Sequence, residues 1–284
     1  MNMRAAPETT RTPVIPTNRF PCLVPELPSK APPASRSFSV LPFHPVSIVI
    51  PAFRAAPFIE AALDSVERQN YFNGNDRFEV IIGVDGCEET RARLAAIKSK
   101  YRNLRVCWFP DNVGCYVVRN TLLHREVKHE RVILFDADDL MRPDCVLEIM
   151  RAWGNNESVR FLGKRFFDDP CARVETRGYA LSTTGVMLLN GIFAITRTAF
   201  CEYGGFQPWK CAADSEFLRR GEKHGLKTAM LKNTLVDVRK HRASLTLATD
   251  TGMTSRLRDE YREAMRVSDW PKYVEPVMGE YVAV

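Results

Sequence analysis

The chain has 284 residues, of which 45% are hydrophobic and 26% charged, and its formal net charge is +6. This composition is ordinary for a soluble globular protein. No apolar run approaches the roughly 18 residues of a membrane-spanning helix, so we expect any membrane contact to be peripheral. The positive charge favours anionic partners, from nucleotide-linked ligands and phospholipid headgroups to nucleic acid, and does not choose among them.

The eight cysteines are spread along the chain without a Cys-x-x-Cys pair, which argues against a zinc site. Most of them fall in predicted strands or helices, as expected of buried and reduced thiols. The N-terminus lacks the continuous apolar core of a secretory signal. We therefore expect a cytoplasmic protein.

A proline-rich segment opens the chain. Residues 1–45 hold ten of the eighteen prolines and show no periodic apolar pattern. Such a segment cannot bury enough surface to offset the entropy lost on ordering. We predict an extended or disordered tail over residues 1–45, a folded domain over 46–250, and a C-terminal helix and tail over 251–284.

The predicted elements alternate between strands and helices through the first half of the chain. The strands are Val46–Ile50, Phe78–Val84, Leu104–Phe109 and Arg131–Phe135, and the helices are Pro57–Gln69, Thr90–Tyr101 and Tyr116–Val127. This alternation predicts βαβ units and a parallel sheet. The second half is less regular, with a helix-like stretch from Met141, strands over Val159–Phe167, Thr184–Thr196 and Thr234–Arg239, and helices over Ala213–His224 and Ser255–Val267.

A carboxylate cluster follows the strand that ends at Phe135. Asp136, Asp138 and Asp139 stand together there, and like charges at one point repel unless a cation compensates them. Ligands of open α/β sheets bind beyond the carboxyl ends of the strands. Mg²⁺ and Mn²⁺ prefer oxygen ligands and commonly bridge a carboxylate to substrate phosphates. The cluster indicates a metal-assisted phosphate site, with a solvated loop or a helix N-cap as the alternative.

Two further motifs end predicted strands. Asp85 could accept a hydrogen bond from a nucleobase or a ribose hydroxyl, or it could cap the helix near Thr90. Asn112 and Gly114 precede a helix that carries Arg119. The glycine lets the backbone approach a ligand closely, and arginine suits phosphate or carboxylate partners. The alternative is an ordinary turn followed by a surface arginine.

Asp214 and His241 are the candidates in the second half. Asp214 and Glu216 stand two residues apart on a predicted helix, so they cannot share one face. Asp214 is the one expected to face open space, where a carboxylate beside a bound hydroxyl can act as general base. The alternative is an acid favoured by the helix dipole. His241 lies in a basic stretch and could ligate a metal or contact a diphosphate, or it could be structural.

In this order the motifs resemble the inverting family 2 glycosyltransferases of the GT-A fold. The matching stretches are Val46–Phe53, Val84–Gly86, Asn112-x-Gly114 with Arg119–Asn120, Leu134–Asp139, Asn190–Gly191 with Phe193, and Ala213–Asp214 with Glu216–Phe217. The resemblance implies a Rossmann-like, mostly parallel central sheet flanked by helices, with a smaller mixed acceptor-side region. It also implies a nucleotide-sugar-binding half over 46–140 and an acceptor-binding half over 141–250.

The resemblance also implies roles for individual residues. It places at the nucleotide Pro51, Phe53, Asp85, Asn112, Gly114, Arg119, Asp136 and Ala137. Asp138 would coordinate Mn²⁺ or Mg²⁺, with Asp136 and His241 as further metal or diphosphate contacts, and Asp214 would be the catalytic base. Two departures stand out, because Gly86 replaces a second acid after Asp85 and Ala213 replaces the glutamate that usually precedes the base.

The expected activity is therefore metal-dependent, inverting transfer from a nucleotide diphosphate sugar, with a UDP-sugar favoured. The acceptor hydroxyl could belong to a glycan, a lipid-linked sugar, a protein or a hydroxylated base in nucleic acid. One alternative is a sugar-phosphate nucleotidyltransferase, which would need a glycine-rich basic loop after the first strand, where only Arg54 stands. The other is a non-catalytic nucleotide- or nucleic-acid-binding module, against which the acid set argues.

Overall fold

The computed structural model describes residues 43–167, 185–241, 244–267 and 269–284. The tail predicted over residues 1–45 lies outside these ranges except for its last three residues. The strands are β1 (Val46–Ala52), β2 (Phe78–Asp85), β3 (Leu104–Phe109), β4 (Arg131–Leu134), β5 (Leu140–Met141), β6 (Ser158–Phe167), β7 (Val186–Leu188), β8 (Ala194–Thr196), β9 (Thr228–Lys240) and β10 (Val282–Ala283). The α-helices are α1 (Ile59–Glu67), α2 (Glu88–Ile97), α3 (Cys115–Arg125), α4 (Cys145–Trp153), α5 (Arg197–Glu202), α6 (Ala213–Lys223) and α7 (Arg256–Val267).

Within the described ranges the strands form one mixed sheet in the order β10-β3-β2-β1-β4-β8-β6-β9-β5, with β7 paired to β6. Strands β3, β2, β1 and β4 are parallel. Strand β8 runs antiparallel to both β4 and β6. The predicted sheet flanked by helices is confirmed, with its parallel half first and its mixed half second.

Three element predictions were wrong in detail. The single strand predicted over Thr184–Thr196 is two short strands, β7 and β8, and Thr184 itself lies outside the described residues. In the break between them, the Asn190 side chain accepts a hydrogen bond from Arg160 and donates one to Ser215. Helix α4 begins at Cys145, after the short strand β5, rather than at Met141. The last strand is also longer than predicted.

Apolar residues cover both faces of the sheet. Along β1, Ile48 and Ile50 lie in one buried cluster and Val49 lies in the other. A parallel strand that is buried on both faces reads as a continuous apolar run, which is why the strand was visible in the sequence. None of the helices in the described ranges has the length and apolarity that a membrane crossing requires.

Strands β1 and β4 separate at the carboxyl edge of the sheet. Their pairing ends at Val49 and Leu134, and the Val49 carbonyl accepts a last bond from the Phe135 N–H at 3.0 Å. Successive residues of a parallel strand direct their backbone N–H and C=O groups to opposite neighbouring strands. The backbone of Pro51 is therefore directed to β4, like that of Val49, but proline has no N–H to continue the hydrogen bonding. The split opens the crevice where an open α/β sheet binds its ligand.

Helix α3 is packed tightly between the sheet and the C-terminal segment. A Cβ on Gly83 of β2 would lie 2.3 Å from Val118 Cγ1, so the glycine lets the helix approach the sheet. On the other side, the Asn120 side chain donates to the Val277 carbonyl at 3.3 Å and Thr121 Oγ1 accepts from the Gly279 N–H at 2.9 Å. The helix is thereby fixed on both sides, together with the polar residues at its N-terminal end.

A buried ion pair fixes helix α6 in the same way. Arg220 and Glu216 have fully buried side chains, with Arg220 Nε 2.6 Å from Glu216 Oε1. The other guanidinium nitrogens donate to the backbone carbonyls of Tyr203, Gly205 and Lys272. Because every charged atom has a partner, burial of the pair is tolerated.

Replacing Arg220 with Met should destabilise the protein by about 3–5 kcal/mol, because it leaves the Glu216 carboxylate buried without a cation. The measurement is the free energy of unfolding in urea. The matched control is Arg151→Met, since Arg151 forms an exposed pair with Glu148 and should change the free energy by less than about 1 kcal/mol. Equal effects of the two substitutions would contradict the assigned importance of the buried pair.

Candidate active site

Asp85 holds the loop that precedes α3. Its two carboxylate oxygens accept from the Val113 N–H at 2.7 Å and the Gly114 N–H at 3.0 Å. Its carbonyl accepts from the Asn112 side chain at 3.3 Å. The alternative role as a cap of the helix near Thr90 is wrong, because α2 begins at Glu88 with no side-chain cap. Burial raises the pKa of Asp85, and the two N–H donors oppose that rise.

Gly86 has a structural reason to follow Asp85. Its φ is +61°, and a Cβ placed on it would lie 2.5 Å from the backbone nitrogen of Asn112. A second acid at this position would therefore collide with the loop and strain the backbone. The departure from the family pattern at Gly86 is accounted for by the close approach of Asn112.

Arg119 reaches from α3 to the acid cluster. The Arg119 side chain is buried, and its guanidinium lies 2.6 Å from Asp136 Oδ1, while 40% of the Asp136 side chain is exposed. Loss of hydration raises the pKa of Asp136, and Arg119 opposes the rise. The alternative of a surface arginine is wrong, since Arg119 is a buried counter-ion of the first acid.

Asp138 is paired with His241 from the end of β9. His241 Nε2 lies 2.9 Å from Asp138 Oδ2, and the imidazole ring packs against Phe58 with ring centroids 4.3 Å apart. These two residues are 103 positions apart in sequence. The pairing of β9 with β5 and β6 brings them together.

Asp139 supports the cluster from inside the protein. It is 3% exposed, and its Oδ1 accepts from the Arg239 N–H at 2.8 Å. Burial raises the pKa of Asp139 well above its ordinary value, and the charges of Asp138 and Asp136 raise it further. The three acids thus do not form a freely solvated loop.

The residues present fit a hard divalent cation whose coordination is completed by substrate. The described part of the chain contains no group of three or more His, Cys, Asp or Glu side chains placed to hold a metal by themselves. Asp138 and His241 offer one carboxylate and one imidazole. Mg²⁺ and Mn²⁺ sites in phosphate-handling enzymes commonly use one or two protein carboxylates and take their remaining ligands from phosphates and water.

Asp214 lies at the start of α6. Its Oδ1 accepts from the Tyr116 hydroxyl at 3.1 Å and from the Ser215 N–H at 2.8 Å. A Cβ on Gly191 would lie 3.4 Å from Asp214 Oδ2 and 3.8 Å from Asp136 Oδ2. The two carboxylates therefore both approach Gly191, while Glu216 on the same helix is buried with Arg220.

Cys115 opens helix α3 and feels the charges of several of the acids. Burial, more than any neighbouring charge, raises the pKa of its thiol to about 12, and the carboxylates of Asp136, Asp214 and Asp85 contribute to the rise. These acids come from the ends of β2 and β4 and the start of α6. The contacts of Tyr116 with Asp214 and of Arg119 with Asp136 bring the last two of these acids to the same end of helix α3.

The remaining predicted contacts differ in accessibility. Pro51 and Ala137 are buried, so they shape the crevice through the backbone. Phe53 is 45% exposed, and the Arg54 guanidinium carbon lies 5.0 Å from its ring centroid. An exposed aromatic face at the end of β1 is suited to stacking on a base.

The motifs gave no indication of Tyr116, which contacts Asp214, or of Arg160, which is linked through Asn190 to Ser215. The apolar spacing of helix α3 assigns Tyr116 to the core, yet its hydroxyl donates a hydrogen bond to Asp214. Its spacing of three residues from Arg119 places both side chains on one helix face, and this was the available signal. Arg160 donates to Asn190, which donates to Ser215, and nothing in the sequence connects these three.

The chain is similar to a known protein family and to several solved structures. The family model described as Glycosyl transferase family 2 matches residues 47–218. No curated protein matches the chain. The solved structure of S. aureus TarS 1–349 is 17% identical with a TM-score of 0.55, and the match covers 69% of this chain and 60% of that chain.

A second similar structure is the mannosyltransferase PcManGT from Pyrobaculum calidifontis in complex with GDP-Man and Mn²⁺. It is 16% identical with a TM-score of 0.60, and the match covers 82% of this chain and 68% of that chain. TarS 1–349 has also been solved in complex with UDP-GlcNAc. At such identities the likeness establishes the fold, which is the GT-A fold of these enzymes.

Replacing Asp85 with Asn should destabilise the protein by about 1–3 kcal/mol. The substitution turns one of the two accepting oxygens into an NH₂ group, so one of the two buried N–H donors loses its acceptor. The measurement is urea unfolding. Asp111→Asn is the control, since Asp111 is an exposed neighbour in the same region and should be close to neutral. A neutral Asp85→Asn would contradict the role of Asp85 in holding this loop.

Proposed function

The chain belongs to glycosyl transferase family 2, and we propose that it is a metal-dependent, inverting glycosyltransferase with Asp214 as the catalytic base. The observation that carries the proposal is that Asp214 Oδ2 and Asp136 Oδ2 lie 3.4 Å and 3.8 Å from the same point, the place that a Cβ on Gly191 would occupy. A base and a donor-binding acid that reach one point suit a single displacement, which needs the acceptor and the donor held close together and aligned.

The donor is proposed to be a nucleoside diphosphate sugar, with a UDP-sugar as first choice. Similar structures hold UDP-GlcNAc and GDP-Man, which supports the donor class. Phe53 offers a stacking face for the base. The loop at Val113 and Gly114, which Asp85 holds in place, would lie beside the bound nucleotide.

The metal contacts are proposed to be Asp138 and His241, with Asp136 nearby. A divalent cation held there would offset the charge that develops on the leaving diphosphate. The Mn²⁺ in the PcManGT complex supports a metal of this kind. The one-carboxylate, one-imidazole donor set leaves room for diphosphate oxygens.

The chemical step follows from the position of Asp214. The acceptor hydroxyl gives its proton to Asp214 Oδ2 as its oxygen attacks the anomeric carbon. The bond from that carbon to the diphosphate breaks, and its electron pair leaves on the nucleoside diphosphate. One displacement inverts the anomeric configuration.

The acceptor is proposed to carry a free hydroxyl on a glycan, a lipid-linked sugar, a protein or a hydroxylated nucleic-acid base. The family match favours this transfer over the nucleotidyltransferase and the non-catalytic binding module. A reducing, cytoplasmic compartment is part of the same proposal. It is supported by the free thiols of the described cysteines, which are Cys87, Cys107, Cys115, Cys145, Cys201 and Cys211.

Replacing Asp138 with Asn should weaken Mn²⁺-dependent binding of UDP by at least about 10- to 100-fold, a loss that even outer-shell metal contacts can cause. The measurement is thermal shift against UDP concentration with and without Mn²⁺. Asp250→Asn, an exposed substitution of the same kind, is the control. Unchanged metal dependence in Asp138→Asn would remove Asp138 from the metal site.

Replacing Asp214 with Asn should lower the turnover of sugar transfer by about 10²- to 10⁴-fold, as expected when a general base is lost, while donor binding stays intact. Turnover is followed as UDP release from UDP-GlcNAc, or GDP release from GDP-Man, with a panel of p-nitrophenyl glycosides as acceptors. Glu222→Gln on the same helix is exposed and should remain active. An Asp214→Asn enzyme with full turnover would disprove the base assignment.

A further inference from the structure

Tyr116 lies between the two halves of the site, in the first turn of α3. It is 5% exposed, and its ring packs against Phe206 with centroids 5.4 Å apart. Its hydroxyl donates to Asp214 Oδ1 at 3.1 Å. A buried hydroxyl needs a hydrogen-bond partner to offset its lost hydration, and the structure gives it a carboxylate.

The two oxygens of Asp214 are therefore not equivalent. Oδ1 accepts from both Tyr116 and the Ser215 N–H. Oδ2 points to the space beside Gly191, where it lies near Asp136 Oδ2. A carboxylate held by two donors on one oxygen has little freedom to rotate, so the same oxygen always faces the crevice.

Helix α3 carries the partners of both carboxylates that flank this space. Tyr116 binds Asp214, and Arg119, three residues later, binds Asp136 at 2.6 Å. Residues at this spacing share one face of a helix. A single turn of α3 thus sets the position of the acid on the donor side and of the acid on the acceptor side.

We propose that Tyr116 is a positioning residue for sugar transfer, which fixes Asp214 so that Oδ2 is the oxygen that takes the acceptor proton. This inference rests on the proposed function and on Asp214 as its base. In the step itself the acceptor O–H bond breaks, its proton goes to Oδ2, and the new oxygen–carbon bond forms as the bond to the diphosphate breaks. Tyr116 keeps its own proton throughout and acts only on the geometry of the base.

The test is Tyr116→Phe, which keeps the ring in its apolar cluster and removes the hydroxyl alone. Tyr203→Phe is the matched control. Tyr203 is 2% exposed, packs on Phe217 of the same cluster, and donates to the His224 carbonyl at 3.2 Å, away from Asp214. Both variants are compared with the unaltered protein in melting temperature, in UDP affinity with Mn²⁺, and in kcat and KM for nucleotide release from UDP-GlcNAc and GDP-Man with the glycoside panel.

Tyr116→Phe should lower kcat by about 10- to 100-fold, as expected for a lost hydrogen bond to a charged group. The KM for the donor and the affinity for UDP should stay within about twofold, and Tyr203→Phe should keep its kcat. A Tyr116→Phe kcat equal to that of Tyr203→Phe would overturn the inference, as would a loss explained entirely by weaker UDP binding.

Two outcomes separate this inference from the function on which it rests. If Asp214→Asn abolishes turnover while Tyr116→Phe and Tyr203→Phe are equally active, the base stands and the role of Tyr116 fails. If Asp214→Asn is fully active, or the unaltered protein releases no nucleotide from either donor, the proposed function fails and the role of Tyr116 fails with it.

Discussion

Mutual repulsion among carboxylates is the constraint on which this site depends. Five acids from three separate parts of the chain lie at the site, namely Asp85, then Asp136, Asp138 and Asp139, and Asp214. Unpaired charges of one sign at such spacing would oppose folding. Each acid instead has a different protein partner, and much of the surrounding architecture serves to deliver those partners.

The partners divide the acids into two kinds. Asp85 and Asp139 are buried and accept backbone N–H groups, so Asp85 holds the loop before α3 and Asp139 is held against strand β9. Asp136, Asp138 and Asp214 are paired through side chains and keep one side toward the crevice. The two buried acids therefore support the site, and the three partly exposed acids are the ones that can contact a ligand or take part in the reaction.

Helix α3 connects this electrostatic arrangement to the packing of the fold. Gly83 lets it lie close against β2, and the C-terminal segment covers its far side through Asn120 and Thr121. A helix fixed on both sides can hold Arg119 and Tyr116 to the precision that two facing carboxylates require. The residues far from the crevice thereby set its geometry.

The sequence by itself determined the parallel half of the sheet, because strands buried on both faces read as apolar runs and each ends in a polar signal such as Asp85 or Asp136. Only the tertiary structure decided the partners. The contact of Asp138 with His241 spans 103 residues and depends on the register of β9, and that of Tyr116 with Asp214 spans 98. Local patterns record which residues are buried, whereas a hydrogen bond between distant elements depends on how those elements pack.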